Sequence, residues 1–193
     1  MTQMKLAYLV AKTQKGVHEI AGPKHNQKII EYGQSTTLQA TDDEGAWCSN
    51  FVNWCYIIAG ILLNPTQMNK LLKLAKYEDK DIVLFFNSAA ELASKVGFQN
   101  WVSSNATGIA VKLPTRQGNA RSWQNFSAES KDPQEGDIVI LWRETPTSWK
   151  GHVAFLVKKG LTFVTLFGGN QANQVCAADY SRTRVLSYRK DLA

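Results

Sequence analysis

Between Trp47 and Leu62 the apolar positions recur at helical spacing. Cys48, Phe51, Val52, Cys55, Ile58, Ala59 and Leu62 fall at i, i+3, i+4 and i+7. The spacing predicts a helix with one buried stripe, ending near Gly60 and Pro65. Asp42, Asp43 and Glu44 precede it, where negative charge suits a helix N-terminus. Upstream, Leu6, Leu9 and Val10 predict a short amphipathic helix over 4–12. Gly22-Pro23 breaks that pattern, and Asn26 is placed to cap a second short helix carrying Ile29 and Ile30. The polar stretch Ser35–Glu44 reads as loop.

The next segment, 66–118, differs in character. QMNKLLKLAK and DIVLFFNSAAELASKV both look helical, and a loop containing Gly and Asn follows as far as Gly118. We read 65–118 as a helical insertion. Beyond it the chain turns to β: IVILW after Gly136-Asp137, HVAFLV after Gly151, LTFVTLF ending at Gly168-Gly169, and RVLSYR near the end. Short β-rich runs separated by turn signals predict neighbouring antiparallel strands. Helices first and strands after give an α+β class. A length of 193 residues fits a single domain over 1–193 that contains the insertion.

Composition narrows the functional classes. Hydrophobic residues make up 44% and charged residues 20%, as expected of a globular chain with a real core. The net charge of +6 favours anionic partners, the bacterial wall included. The basic residues are scattered, without the block of like charge that a nucleic-acid reading would need. No apolar run reaches the ~18–20 residues that span a bilayer. Three cysteines, with no CxxC spacing, argue against a zinc knuckle or a disulfide framework. Cys48 and Cys55 on one helix are about 10.5 Å apart along its axis, too far to bridge. The expected product is cytosolic at synthesis, made without a signal peptide, and in need of release or delivery to reach a wall.

Candidate chemistry centres on Cys48, at the first turn of its helix. The free N–H groups and dipole there favour a thiolate, and the same amides are able to donate to an oxyanion. A lone cysteine is otherwise a small core residue, and Cys55 and Cys176 are read that way. His152 opens a strand beside Gly151, with His152, Ala154 and Leu156 on one face and Val153, Phe155 and Val157 on the other. That placement suits a general base. Asn170 follows Gly168-Gly169, and a hairpin would bring it back toward His152 to hold the imidazole tautomer. A turn asparagine reads equally well from Gly-Gly-Asn. His18 and His25 lie in the polar N-terminal segment without such a setting.

In order and with their flanks, WCSNFVNWC, PQEGDIVIL, GHVAFLV and LFGGNQ resemble the papain-like cell-wall peptidases of the NlpC-type and CHAP group. The likeness is to a branch typical of phage and prophage lysins, and it spans Gly16–Asn26, Trp47–Trp54, Asn119–Trp123, Gly136–Val139, Gly151–Val153 and Gly168–Gln171, about three quarters of the chain. The resemblance implies a papain-like α+β fold with the nucleophile helix packed on a small antiparallel sheet. It implies Cys48 as nucleophile, His152 as base and Asn170 as orienter. The expected reaction is attack of the thiolate on a peptide or amide carbonyl, an acyl-enzyme, then hydrolysis. Trp47, Ser49, Trp123, Trp149 and Gln171, beside the motifs, are expected to contact substrate; a tryptophan is also simply a large core residue. Trp47 stands where many NlpC-type enzymes carry Asp, so recognition of a free amine is not carried over.

The expectation is therefore a peptidoglycan hydrolase, either endopeptidase or amidase, that acts as a monomer without metal or cofactor. Peptidoglycan is the expected partner, with no nucleic acid and no membrane insertion. A delivered antibacterial amidase toxin would use the same chemistry. A non-catalytic wall-binding phage component would keep the fold and lose Cys or His. A zinc amidase has no HxxxH or equivalent spacing to support it.

Overall fold

The computed structural model describes residues 2–62 and 113–191. The two helical runs expected within 65–118 lie outside these residues, apart from the tail 113–118. Three α-helices come first: α1 (Gln3–Thr13), α2 (Gln27–Gly33) and α3 (Cys48–Leu62). The 3-10 helix Ala120–Asn125 leads into β1 (Ala128–Glu129), β2 (Ile138–Trp142), β3 (Gly151–Lys159), β4 (Phe163–Gln171), β5 (Gln174–Ser181) and β6 (Val185–Lys190). All six strands form one antiparallel sheet in the order β1-β6-β2-β3-β4-β5. The mixed class and the four expected strands are present. β1 and β5 were not anticipated: β1 is too short to show a period, and the exposed side of β5 carries Asp179 and Ser181.

Local chemistry accounts for the helix starts. Thr2 caps α1 by accepting from the Lys5 amide, and Asn26 caps α2 by accepting from the Lys28 amide. α3 departs from its sequence pattern. The spacing predicts one apolar stripe, yet Trp54, Tyr56, Ser49, Asn50 and Asn53 are buried as well. The helix runs through the middle of the molecule, with α1 and α2 on one side and β3 and β4 on another. Its polar side chains tolerate burial because each is bonded. Ser49 Oγ donates to the Gln117 carbonyl and accepts from Trp123 Nε1. Asn53 Oδ1 accepts from the Arg116 amide, and Asn50 Oδ1 accepts from Thr36 Oγ1.

The sheet is apolar on both faces. Ile138, Ile140, Val153, Phe155, Phe167 and Val175 join the helices in the main core. Val139, Leu141, Ala154, Leu156, Val164 and Leu166 form a second cluster, flanked by Tyr180, Val185 and Tyr188. The alternation expected of His152, Ala154 and Leu156 against Val153 and Phe155 is thus the division between the clusters.

Gly168 and Gly169, expected at a strand's end, lie inside β4. A Cβ on Gly169 would sit 2.4 Å from Trp47 Cζ3 and 2.7 Å from Phe51 Cβ, so only glycine lets the start of α3 rest on the strand. The acidic run before α3 also has another use. Asp43 is fully buried and accepts from the Ile20 amide, the Asn26 amide and His25 Nδ1, pinning the loop between α1 and α2. Burial alone would raise its carboxyl; those donors bring it below the ordinary range.

Gly169→Ala is expected to destabilise the fold by about 2 kcal/mol through overpacking against two rigid aromatic residues. Urea denaturation of both proteins checks this; an unchanged midpoint would show that α3 shifts freely off the strand.

Candidate active site

Cys48 is the first residue of α3, and the sheet gives it a place to sit. β3 is paired to β2 from Gly151 onward, but its ladder to β4 begins only at Phe155–Phe167. The opening stretch of β3 therefore has one edge free of strand pairing. The Cys48 thiol lies there, near enough to the Val153 amide, and to the amides of Cys48 and Ser49 at the helix start, for each to draw its pKa down. The candidate nucleophile and candidate base are thus neighbours across a single peptide unit, His152–Val153. Among the described residues no hydrogen bond joins the thiol directly to the imidazole.

His152 is fully buried. Its Nε2 lies 3.1 Å from Gln171 Oε1, and the Tyr180 ring packs 5.4 Å from its own. The protonation pattern follows from the bonding. Gln171 Nε2 donates to the carbonyls of Leu166 and Cys176, which fixes its amide with Oε1 toward the histidine. An oxygen there accepts only, so His152 carries its proton on Nε2 and keeps its lone pair on Nδ1. Nδ1 is the nitrogen on the side of Arg143, whose Nη2 lies 3.5 Å away.

The residue that bonds His152 is therefore Gln171, and not Asn170 as the sequence led us to expect. Val164, Leu166 and Gly168 face the His152 side of the sheet, and strict alternation would put residue 170 there next. A bulge intervenes: the β4–β5 register passes from Gly168–Cys176 to Gln171–Gln174 with one extra residue on β4. Asn170 absorbs it in the left-handed region, at φ 55°, and its side chain donates to the Gly45 carbonyl. One residue of slip exchanges the faces, and Gln171 inherits the position.

The expected substrate contacts change as well. Trp47 and Trp123 are buried core residues, with Trp47 Nε1 on Glu19 and Trp123 Nε1 on Ser49. Ser49 and Gln171 are buried and fully engaged in the bonds described above. Trp149 alone of the five is open, at 71% exposure. It borders a cavity of about 180 Å³ that also meets Cys48, Gly118, Ala120, Arg143 and Lys150. Arg121, from the ARSW segment, holds the loop carrying Trp149 by donating to the carbonyls of Pro146 and Lys150. A larger cavity of about 590 Å³, lined by Thr2, Lys5, Glu135 and Asp191 among others, has no cysteine or histidine among its described lining residues.

Charge at the site runs against the simplest helix-dipole expectation. Burial pushes the Cys48 thiol up, and the Val153 amide, Arg143 and the helix-start amides recover only part of that rise. Burial pulls His152 down to about 4; Arg143 and Arg184 add to the fall, and the Gln171 bond opposes it. At neutral pH both groups are uncharged. The arrangement suits proton transfer from thiol to Nδ1 as the nucleophile attacks, rather than a standing thiolate–imidazolium pair.

Arg143, Tyr180 and Arg184 were not anticipated at the site. Arg143 was within reach of the sequence: a hairpin pairing Trp142 with Gly151 sets residue 143 opposite 150, diagonal to 152 on the same face. Tyr180 lies on β5, which the pattern did not reveal.

Two outcomes are expected. Gln171→Leu removes the nearer acceptor of the His152 Nε2 proton and leaves only the Tyr180 hydroxyl at 3.5 Å, at a cost of about 2 kcal/mol, and mixes the tautomers. Asn170→Gly suits the left-handed backbone and leaves the tautomer unchanged. Nitrogen-15 shifts of the imidazole distinguish them, and the reverse result would return the role to Asn170. Separately, a folded-state value near 4 against 6.5 for a free histidine means that the unfolded chain binds the extra proton first. The His152 contribution is complete above 6.5 and is lost as pH falls toward 4, by up to about 3 kcal/mol. That pH-dependent part should vanish in His152→Gln when denaturation is compared across the window.

Comparisons with protein-family models, with curated proteins and with solved structures return no match to this chain.

Proposed function

We propose that this chain is a cysteine hydrolase of papain-like architecture that cleaves an amide bond in the stem peptide of bacterial peptidoglycan. The observation that carries the reading is the Cys48–His152–Gln171 arrangement. A helix-start thiol lies on the free edge of a strand, beside a histidine whose tautomer leaves Nδ1 unprotonated, in a cavity open enough for a peptide carbonyl. Cys48 attacks the carbonyl carbon as its proton passes to Nδ1. The amides of Cys48 and Ser49, which now face the sulfur, are placed to receive the oxyanion. His152 then returns the proton to the leaving amine, and water releases the acyl group by the same route.

The wall as target rests on the resemblance of the WCSNFVNW, GDIV, GHV and GGNQ segments to lysin-type peptidases, and the net charge of +6 agrees with an anionic polymer. Gln171 in place of the expected Asn170 offers His152 Nε2 the same kind of acceptor, a side-chain amide oxygen.

Purified sacculi digested by wild type should release soluble fragments, and Cys48→Ala should release none. His152→Ala should cost at least about a hundredfold in rate. Mass spectrometry of the fragments names the bond: a freed alanine amine on an intact stem marks an amidase, a split stem or cross-bridge an endopeptidase. Intact sacculi from several wall types would sink the proposal; equal cleavage by Cys48→Ala would remove Cys48 from it.

A further inference from the structure

We infer that Arg143 is a carboxylate-binding residue, and that the substrate presents a free acid group next to the bond that Cys48 attacks. The inference rests on the hydrolase reading for its reaction but not for its binding site. Arg143 follows β2 directly and lines the same cavity as Cys48. Of the cations near that cavity, Lys150 is paired with Glu144, Arg121 is bonded to backbone carbonyls, and Arg184 donates to the Trp142 carbonyl while lying over the Tyr180 ring. Arg143 has no acidic partner among the described residues. Its one side-chain hydrogen bond is to His152 Nδ1, at a weak 3.5 Å.

A guanidinium carries five donors in a planar fork that matches a carboxylate, and here that fork is nearly unused. It is also half-buried, where a charge-assisted bond is stronger than in open water. The cavity, about 180 Å³, has room for a carboxylate alongside a scissile carbonyl but not for a bulky ligand. Stem peptides carry carboxyl groups either free or amidated, so such a residue would separate the two. Pairing with the acid would raise His152 and the Cys48 thiol together, so binding the carboxylate need not disturb proton transfer between them.

Alkylation of Cys48 by iodoacetate and by iodoacetamide tests the site without relying on hydrolysis. The reagents differ in one carboxylate against one amide, and the thiolate fraction cancels in their rate ratio. Measured at the Cys48 peptide and normalised to a small neutral thiol, the ratio should favour iodoacetate by about tenfold or more in wild type. Arg143→Met should collapse that preference toward the reference. A wild-type ratio at the reference overturns the inference. So does a preference that survives Arg143→Met, because the overall positive field would then be its source. Should the thiol resist both reagents, acetate and acetamide titrated against the Arg143 Nε–H resonance in Cys48→Ala protein read the same site. A saturable shift with acetate alone supports it, and no shift with either overturns it. Inert sacculi beside a retained iodoacetate preference would refute the hydrolase reading and leave the carboxylate site standing.

Discussion

The contact between the start of α3 and Gly169 of β4 is the constraint on which the rest of the molecule depends. Trp47 and Phe51 press on a strand position that has no side chain, and this sets how close the helix comes to the sheet. The same approach brings the Cys48 sulfur to the Val153 amide, on the stretch of β3 that β4 does not pair. A helix set further off would give that amide to water and the sulfur to solvent. Close packing here is therefore also the positioning of the candidate nucleophile.

Burial then decides the chemistry. A cysteine at a helix start is conventionally read as a thiolate, and the amides and Arg143 do act in that direction. Because the group is only 3% exposed, desolvation outweighs them. His152 is pushed the opposite way by the same burial. The site thus rests as two neutral partners, one polarised by donors and the other locked in a tautomer by Gln171. On the hydrolase reading proposed above, its reactivity would depend on the approach of a substrate rather than on stored charge.

Much of this was legible in the sequence, and the failures have identifiable physical causes. The helix periods, the Asn26 cap, the four longer strands and the face occupied by His152 all follow from local pattern, because local pattern dictates them. The full burial of α3 was hidden because Ser49, Asn50 and Asn53 look like a solvated face. Their partners at Gln117, Thr36 and Arg116 are tertiary, and no periodicity reports them. The exchange of Asn170 for Gln171 had the same origin: alternation counts residues evenly, and a bulge of one residue is invisible to it. Tryptophans near a motif were read as a groove, but only Trp149 is in the open, since a large aromatic beside a packed helix start is first of all a core residue.

Arg143 illustrates how a charge at such a site is weighed. A cation next to a base weakens it, and on that count alone Arg143 would be a poor neighbour for His152. Yet the same guanidinium also draws the Cys48 thiol down. Transfer of a proton from thiol to imidazole depends on the difference between the two proton affinities, and a cation near both lowers both. It therefore leaves that difference much less altered than either value by itself. Arg143 can stand between the two groups with only a small effect on the transfer, while offering an anion a fork that has no acidic partner among the described residues. A neutral residue in its place would leave the proton equilibrium nearly as it is and remove the fork.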